Sequence, residues 1–208
     1  MKKILCYGDS NTFGFNPKDG SRFDESTRWT ALLQAYLHNN FEIIEEGLCD
    51  RTGFVDNPKG FLFSSQRHFP KFLSKSDKFD IIVLAIGTND LQFQYNISYS
   101  VVQRGLVELI KNAQEKSNKI IIVPPVILKE NILNGYFKIQ FDKMSIIKSK
   151  KIGTIYRKLS NAYNCRYFDI NKIVQPSDTD GLHYDEQSHK IIANKLTEFI
   201  KNESDSIK

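Results

Sequence analysis

Six consecutive apolar residues, Ile81-Ile82-Val83-Leu84-Ala85-Ile86, run without a polar interruption and stop at Gly87. A strand with one wet face alternates polar and apolar side chains, because successive side chains point to opposite faces. A run without alternation is a strand buried on both faces, which is the habit of a parallel sheet covered by helices. Ile4 to Tyr7, ended by Gly8, and Ile120 to Val123, stopped by Pro124-Pro125, have the same character. Phe41 to Ile44 and Cys165 to Ile170 read as the remaining strands.

The intervening segments carry helical spacing. Trp29, Leu32, Leu33, Tyr36 and Leu37 make one face of a helix over Thr27–Leu37. Ser98 caps a helix to about Lys116, with Val102, Leu106, Leu109 and Ile110 inward. Further patterns cover Lys143–Asn164 and Asp185–Lys201. Residues 47–62 read as a loop, and residues 126–142 match no period and read as an insertion or lid. Strands alternating with helices predict an α/β chain with a mainly parallel, flavodoxin-like sheet. The 208 residues suit one domain, residues 1–208.

Composition narrows the function classes. The net charge of +5 comes from scattered residues, the densest cluster being Lys148, Lys150 and Lys151. A basic stripe interleaved with aromatics is missing, so no nucleic-acid partner is expected. Cys6, Cys49 and Cys165 form no Cys-x-x-Cys pair, so zinc ribbons and thioredoxin-like motifs are excluded and a reducing compartment fits best. Only four apolar residues follow Met1-Lys2-Lys3, short of the roughly 7–15 of a signal peptide, and no window has the roughly 20 of a membrane span. A cytoplasmic location is the expectation.

Open parallel sheets bind ligands at the carboxyl ends of their strands. That rule selects Gly8-Asp9-Ser10-Asn11, the Gly47–Thr52 loop, Gly87-Thr88-Asn89-Asp90 and the Asp180–His183 loop. Ser10 follows a strand–glycine turn, where a nucleophile would stand, and a serine needs a nearby base. Of the four histidines, His38 and His189 read as solvated, and His68, in a Phe-rich stretch, as structural. His183 differs. Asp180, three residues earlier across Gly181, can reach its Nδ1 and leave Nε2 for the serine proton. An acyl-transfer site also needs oxyanion donors. The Ser10 N–H, the Asn89 side chain and a backbone N–H of the Gly47–Thr52 loop can supply them. The plainer reading of Gly87–Asp90 alone is a polar turn after a buried strand.

Together, Gly8-Asp9-Ser10, Gly87-Thr88-Asn89-Asp90 and Asp180-Gly181-Leu182-His183 resemble, in order and spacing, the blocks of the SGNH (GDSL-type) hydrolases. Arg28-Trp29, Glu45-Glu46-Gly47-Leu48 and Arg51-Thr52 resemble the branch of arylesterases and perhydrolase-type acyltransferases. The resemblance implies a three-layer α/β/α sandwich without metal or organic cofactor. It implies a serine esterase with Ser10 as nucleophile, His183 as base and Asp180 as its orienting carboxylate. Asn89 and the Ser10 N–H would hold the oxyanion.

This sequence departs from the family at two places. The third oxyanion donor is usually a small residue, but alignment on Arg51-Thr52 puts Asp50 there, with Gly47 as the alternative. A carboxylate beside an oxyanion repels it unless turned away. Asn11 stands where many members carry leucine, predicting a more polar pocket floor. The implied reaction is ester hydrolysis through an acyl-enzyme on Ser10, with transfer to other alcohols as an extension. Its optimum would be neutral to alkaline, because His183 must be neutral to act as base.

Two rivals remain at this level. A carbohydrate O-deacetylase would use the same residues. A flavodoxin-like module would instead use Ser10 and Thr12 on a phosphate or FMN, leaving Asn89, Asp180 and His183 idle. P-loop, Rossmann and Gly-x-Ser-x-Gly signatures are missing. The expected pocket walls are the Phe13–Phe23 loop, the Phe54–Phe63 loop and the 126–142 insertion with Tyr136 and Phe137. The expected partner is a small-molecule ester, with a homo-oligomer built through the insertion left open.

Overall fold

The computed structural model describes residues 1–205. Five strands form one parallel sheet: β1 (Lys2–Gly8), β2 (Phe41–Gly47), β3 (Ile81–Ala85), β4 (Ile120–Val123) and β5 (Arg166–Tyr167). Their order across the sheet is β2-β1-β3-β4-β5. The apolar runs that announced β1, β3 and β4 are almost wholly buried, as a sheet covered on both faces requires. Among the described residues six α-helices surround it: α1 (Ser10–Phe13), α2 (Trp29–Leu37), α3 (Ser65–Ser74), α4 (Tyr99–Gln114), α5 (Lys143–Ala162) and α6 (Glu186–Asp205). Helices α2 and α6 pack together, and α3, α4 and α5 form a second group, which gives the three-layer α/β/α sandwich.

The chain leaves β1 toward β2, returns to β3 on the other side of β1, and continues outward to β5. The switch in direction therefore falls between β1 and β3. Their carboxyl ends open the crevice where ligands bind in such sheets.

Several local expectations are refined. Strand β2 runs three residues beyond Ile44, paired with β1 as far as Gly8–Gly47. The last strand is only Arg166–Tyr167, and Ile170 belongs to a 3₁₀ turn. Helix α3 is absent from the sequence reading, since its apolar positions are broken by Arg67, Pro70 and Lys71. Segment 126–142 holds two 3₁₀ turns, Glu130–Leu133 and Tyr136–Ile139, anchored by the buried Ile132 and Phe141.

Candidate active site

Gly8 ends β1 where no side chain fits. A Cβ there would lie 2.0 Å from Thr12 Oγ1 and 2.5 Å from the Ala85 carbonyl. This close packing lets the chain turn at once into α1. Asp9 caps that turn by accepting the Asn11 N–H at 3.0 Å. Ser10 thus begins the helix, where its N–H has no intrahelical carbonyl to meet.

The triad candidates come together from opposite ends of the chain. His183 Nε2 lies 2.9 Å from Ser10 Oγ, and His183 Nδ1 lies 2.7 Å from Asp180 Oδ2. The other oxygen, Asp180 Oδ1, accepts the Leu182 and His183 N–H groups, each at 2.9 Å. Gly181 makes this tight loop at φ +73°, in the left-handed region that favours glycine. All three side chains are buried. Phe15 and Phe137 pack on the imidazole at 4.2 and 5.3 Å between ring centroids, fixing its plane.

Opposite them, Asn89 stands just beyond β3. Its Nδ2 donates to the Arg51 carbonyl at 3.0 Å, and its Oδ1 accepts from Gln92 Nε2 at 3.2 Å. An amide nitrogen has two hydrogens, so one remains to donate into the site. Asp90 is fully buried and binds the Gly53, Phe54 and Val55 N–H groups at 2.6, 2.7 and 3.1 Å. Burial pushes its carboxyl up to about 6, against the pull of those donors. Asn89 and Asp90 thereby pin the 48–57 loop to the end of β3.

Asp50 sits on that loop with φ +62°. Lys59 Nζ holds its carboxylate at 2.5 Å, so the negative charge feared beside an oxyanion is compensated. Asp50, Ser10, Asn89, Asp180 and His183 all line one cavity of about 610 Å³. Gly47 does not line it. A Cβ on Gly47 would sit 2.3 Å from the Phe13 nitrogen, so this glycine serves the packing of α1 on β2.

The cavity has an aromatic side, Phe15, Tyr136 and Phe137, and a polar side with Lys18, Asp19, Lys59 and Thr179. The expected walls thus contribute, except that Phe54 is core, packed under Gly105. Cys49 also lines the cavity, but burial and the neighbouring Asp50 push its thiol up to about 11, away from a reactive thiolate. Among the described residues no cluster of three or more His, Cys, Asp or Glu is arranged to hold a metal ion.

Two sequence expectations change. Asn11 does not floor this cavity; its side chain bonds to the Leu182 carbonyl and the Tyr184 N–H. His189 is not solvated but fully buried, its Nδ1 accepting the Trp29 N–H at 3.2 Å at the start of α2. Arg51, which the sequence shows only as part of the Arg51-Thr52 pair, is 1% exposed. Its guanidinium binds the Gly8 and Glu46 carbonyls and the Glu46 carboxylate and lies over the Tyr7 ring. A fully buried arginine inside a Gly- and Asp-rich loop leaves no periodic signal. His68 is structural as expected, its Nδ1 3.2 Å from the Tyr7 hydroxyl.

The phosphate-loop rival leaves the Asp180–His183–Ser10 contacts without a task, and one α1 N–H, that of Asn11, is already bound by Asp9. A buried serine–histidine–carboxylate relay at the carboxyl edge of a parallel sheet is the equipment of a serine hydrolase.

The comparisons agree with that class. The sequence pattern of the GDSL-like lipase/acylhydrolase family matches residues 4–196, and the chain belongs to that family. No curated protein matches the sequence. Among solved structures, the inhibitor-bound aryl esterase of M. smegmatis is 26% identical, with 97% of this chain and 99% of that one covered and a TM-score of 0.88. A carbohydrate acetylesterase family member from Sinorhizobium meliloti is 26% identical over 97% and 98% of the two chains, with a TM-score of 0.86. The fold is the SGNH hydrolase fold, and the protein is an ester-bond hydrolase acting on a small molecule. No helix among the described residues is long and apolar enough to cross a membrane.

Proposed function

We propose that the protein hydrolyses small carboxylic esters through an acyl-enzyme on Ser10. The reading rests above all on the unbroken line Asp180 Oδ2–His183 Nδ1, His183 Nε2–Ser10 Oγ, at 2.7 and 2.9 Å. Ser10 Oγ attacks the ester carbonyl while Nε2 takes its proton. The carbonyl π electrons move onto oxygen, which meets the Ser10 N–H, the free Asn89 amide hydrogen and the Asp50 N–H. The C–O bond to the alcohol then breaks, and the imidazolium returns its proton to the departing oxygen. Water repeats the sequence on the acyl-enzyme and releases the acid. Asp180 keeps Nδ1–H oriented and stabilises the imidazolium without taking the proton.

The acyl-enzyme can also pass to an alcohol or a peroxide, and the aromatic side of the cavity favours an organic acceptor over water. A second reading, removal of acetyl groups from a carbohydrate, is supported by the acetylesterase likeness and by the facing aromatic and polar walls. The scattered basic residues give nucleic acid no stripe to follow. Three free thiols suit the reducing cytoplasm. The exposed Tyr136, Ile139, Met144 and Ile147 on and beside the insertion support self-association.

A fluorophosphonate probe tests the core of this reading. It should label Ser10 in the wild type, and Ser10→Ala should abolish p-nitrophenyl acetate cleavage. A wild type left unlabelled at Ser10, or a fully active Ser10→Ala, defeats it. A panel of esters of varied acyl length, including acetylated sugars, then separates the two substrate readings.

A further inference from the structure

His183 lies in the loop before α6, outside any helix or strand. A loop that must hold an imidazole within hydrogen-bond reach of a nucleophile needs its own backbone fixed, and each buried N–H and C=O in it needs a partner. From the insertion side, the Lys129 N–H donates to the Gly181 carbonyl at 3.0 Å. On the nucleophile side, among the described residues, one side chain hydrogen-bonds to the residues flanking His183. Asn11 Nδ2 donates to the Leu182 carbonyl at 3.3 Å, and Asn11 Oδ1 accepts the Tyr184 N–H at 3.1 Å. The primary amide offers one donor and one acceptor side by side, as a peptide group does, so it binds this stretch as a neighbouring strand would.

Asn11 is itself held at both ends. Its N–H donates to Asp9 Oδ1 at 3.0 Å, and its carbonyl accepts the Trp29 indole N–H at 3.0 Å. It is also covalently bonded to Ser10. We infer that Asn11 is a positioning residue for catalysis, a staple that ties the backbone on either side of His183 to the nucleophile turn and so sets the Nε2–Oγ approach. A leucine at this position offers neither group and would leave the Leu182 carbonyl and the Tyr184 N–H unpaired. The inference rests on the triad reading above.

Asn11→Leu and Asn11→Asp test it, with Ser10→Ala measured beside them. In Asn11→Leu, kcat on p-nitrophenyl acetate should fall about 10–100-fold, with KM changed less than about threefold. Fluorophosphonate labelling of Ser10 should slow in parallel. A downfield proton resonance of His183 Nδ1–H, expected in the wild type from the short contact to Asp180, should broaden. Asn11→Asp keeps the acceptor for Tyr184 and should fall between the two. A folded Asn11→Leu with wild-type kcat and labelling rate overturns the inference, as does a loss of stability with the His183 resonance and kcat intact. Should Asn11→Leu not fold, Asn11→Asp decides, a threefold or greater fall in kcat supporting the staple and an unchanged kcat refuting it. Failure of the wild type to label at Ser10 instead strikes the triad reading itself.

Discussion

In the triad half of the site, Asp180 and His183 stand three residues apart and one tight loop builds their contact. In the oxyanion half, Asn89 reaches the Arg51 carbonyl across 38 positions, and Asp90 grips three N–H groups of the same distant loop. The Asp180–His183 contact is thus made by local geometry, while its approach to Ser10 rests on tertiary contacts such as those of Asn11. The oxyanion half is rigid only as long as block and loop stay docked, and its charge balance hangs on one partly exposed pair, Lys59–Asp50. A locally made contact loses function first through its own residues. A docked one can lose it through residues that never meet the substrate.

The largest effect should come from the local half. Asp180→Asn keeps the shape but puts a donor where Nδ1–H must be received, and kcat should drop about 10⁴-fold with KM little changed. Stopped-flow acylation of Ser10 measures this, and a drop below tenfold would break the contrast between the halves. Next, Asn89→Ala removes a donor and also frees the Arg51 carbonyl. Steady-state kinetics should register a loss of about 10²–10³-fold in kcat. A loss confined to KM would show that Asn89 binds substrate and transition state alike.

His189 sharpens the comparison from behind the triad, because it caps α2, whose Trp29 holds Asn11. Burial drives its imidazole down to about 4, and its Nε2 has no partner. The folded state therefore resists protonation that the unfolded chain accepts. Stability from this group is intact above the ordinary histidine value and is lost as pH falls toward 4. Between pH 7 and pH 5 it should cost about 2 kcal/mol. Asp90, raised to about 6, acts in the opposite sense over the lower part of that range, gaining stability as it protonates. The test is therefore a difference: urea midpoints at both pH values for wild type and His189→Gln. The variant should lose less stability on acidification, and equal losses would remove His189 from the account.

The smallest effect belongs to the oxyanion loop's charge. Lys59→Met leaves the Asp50 carboxylate uncompensated near the developing oxyanion, at a cost of about 1 kcal/mol, several-fold in kcat, eased by added salt. Adding Asp50→Asn to that variant should restore the rate. If the double variant is no faster than Lys59→Met, the pair has no electrostatic role in turnover.

The legibility of the site follows the same division. Asp180-Gly181-Leu182-His183 could be read because a carboxylate and an imidazole three residues apart across a glycine can meet whatever the rest of the chain does. Ser10 and Asn89 could be placed because each follows a buried strand whose apolar run is unmistakable. The choice between Asp50 and Gly47 could not be made. It depends on a loop path pinned by Asp90 and on Arg51, whose burial no pattern announces. The burial of His189 escapes the sequence for a related reason. A histidine on an amphipathic helix reads as solvated until another helix start, here Trp29, is set against it.

Three apolar runs, the glycines and prolines that stop them and three short polar blocks by themselves determined an α/β chain with polar residues at its strand ends, and those blocks carry the resemblance to the GDSL-type hydrolases. Those signals act within a few residues, through burial, backbone freedom and side-chain reach. Only the tertiary structure decided how Asn11 is used, which loop residue enters the cavity and how Asp50 is neutralised. Each of these depends on groups from different strands meeting at one edge of the sheet, where small offsets in packing change which hydrogen bond forms.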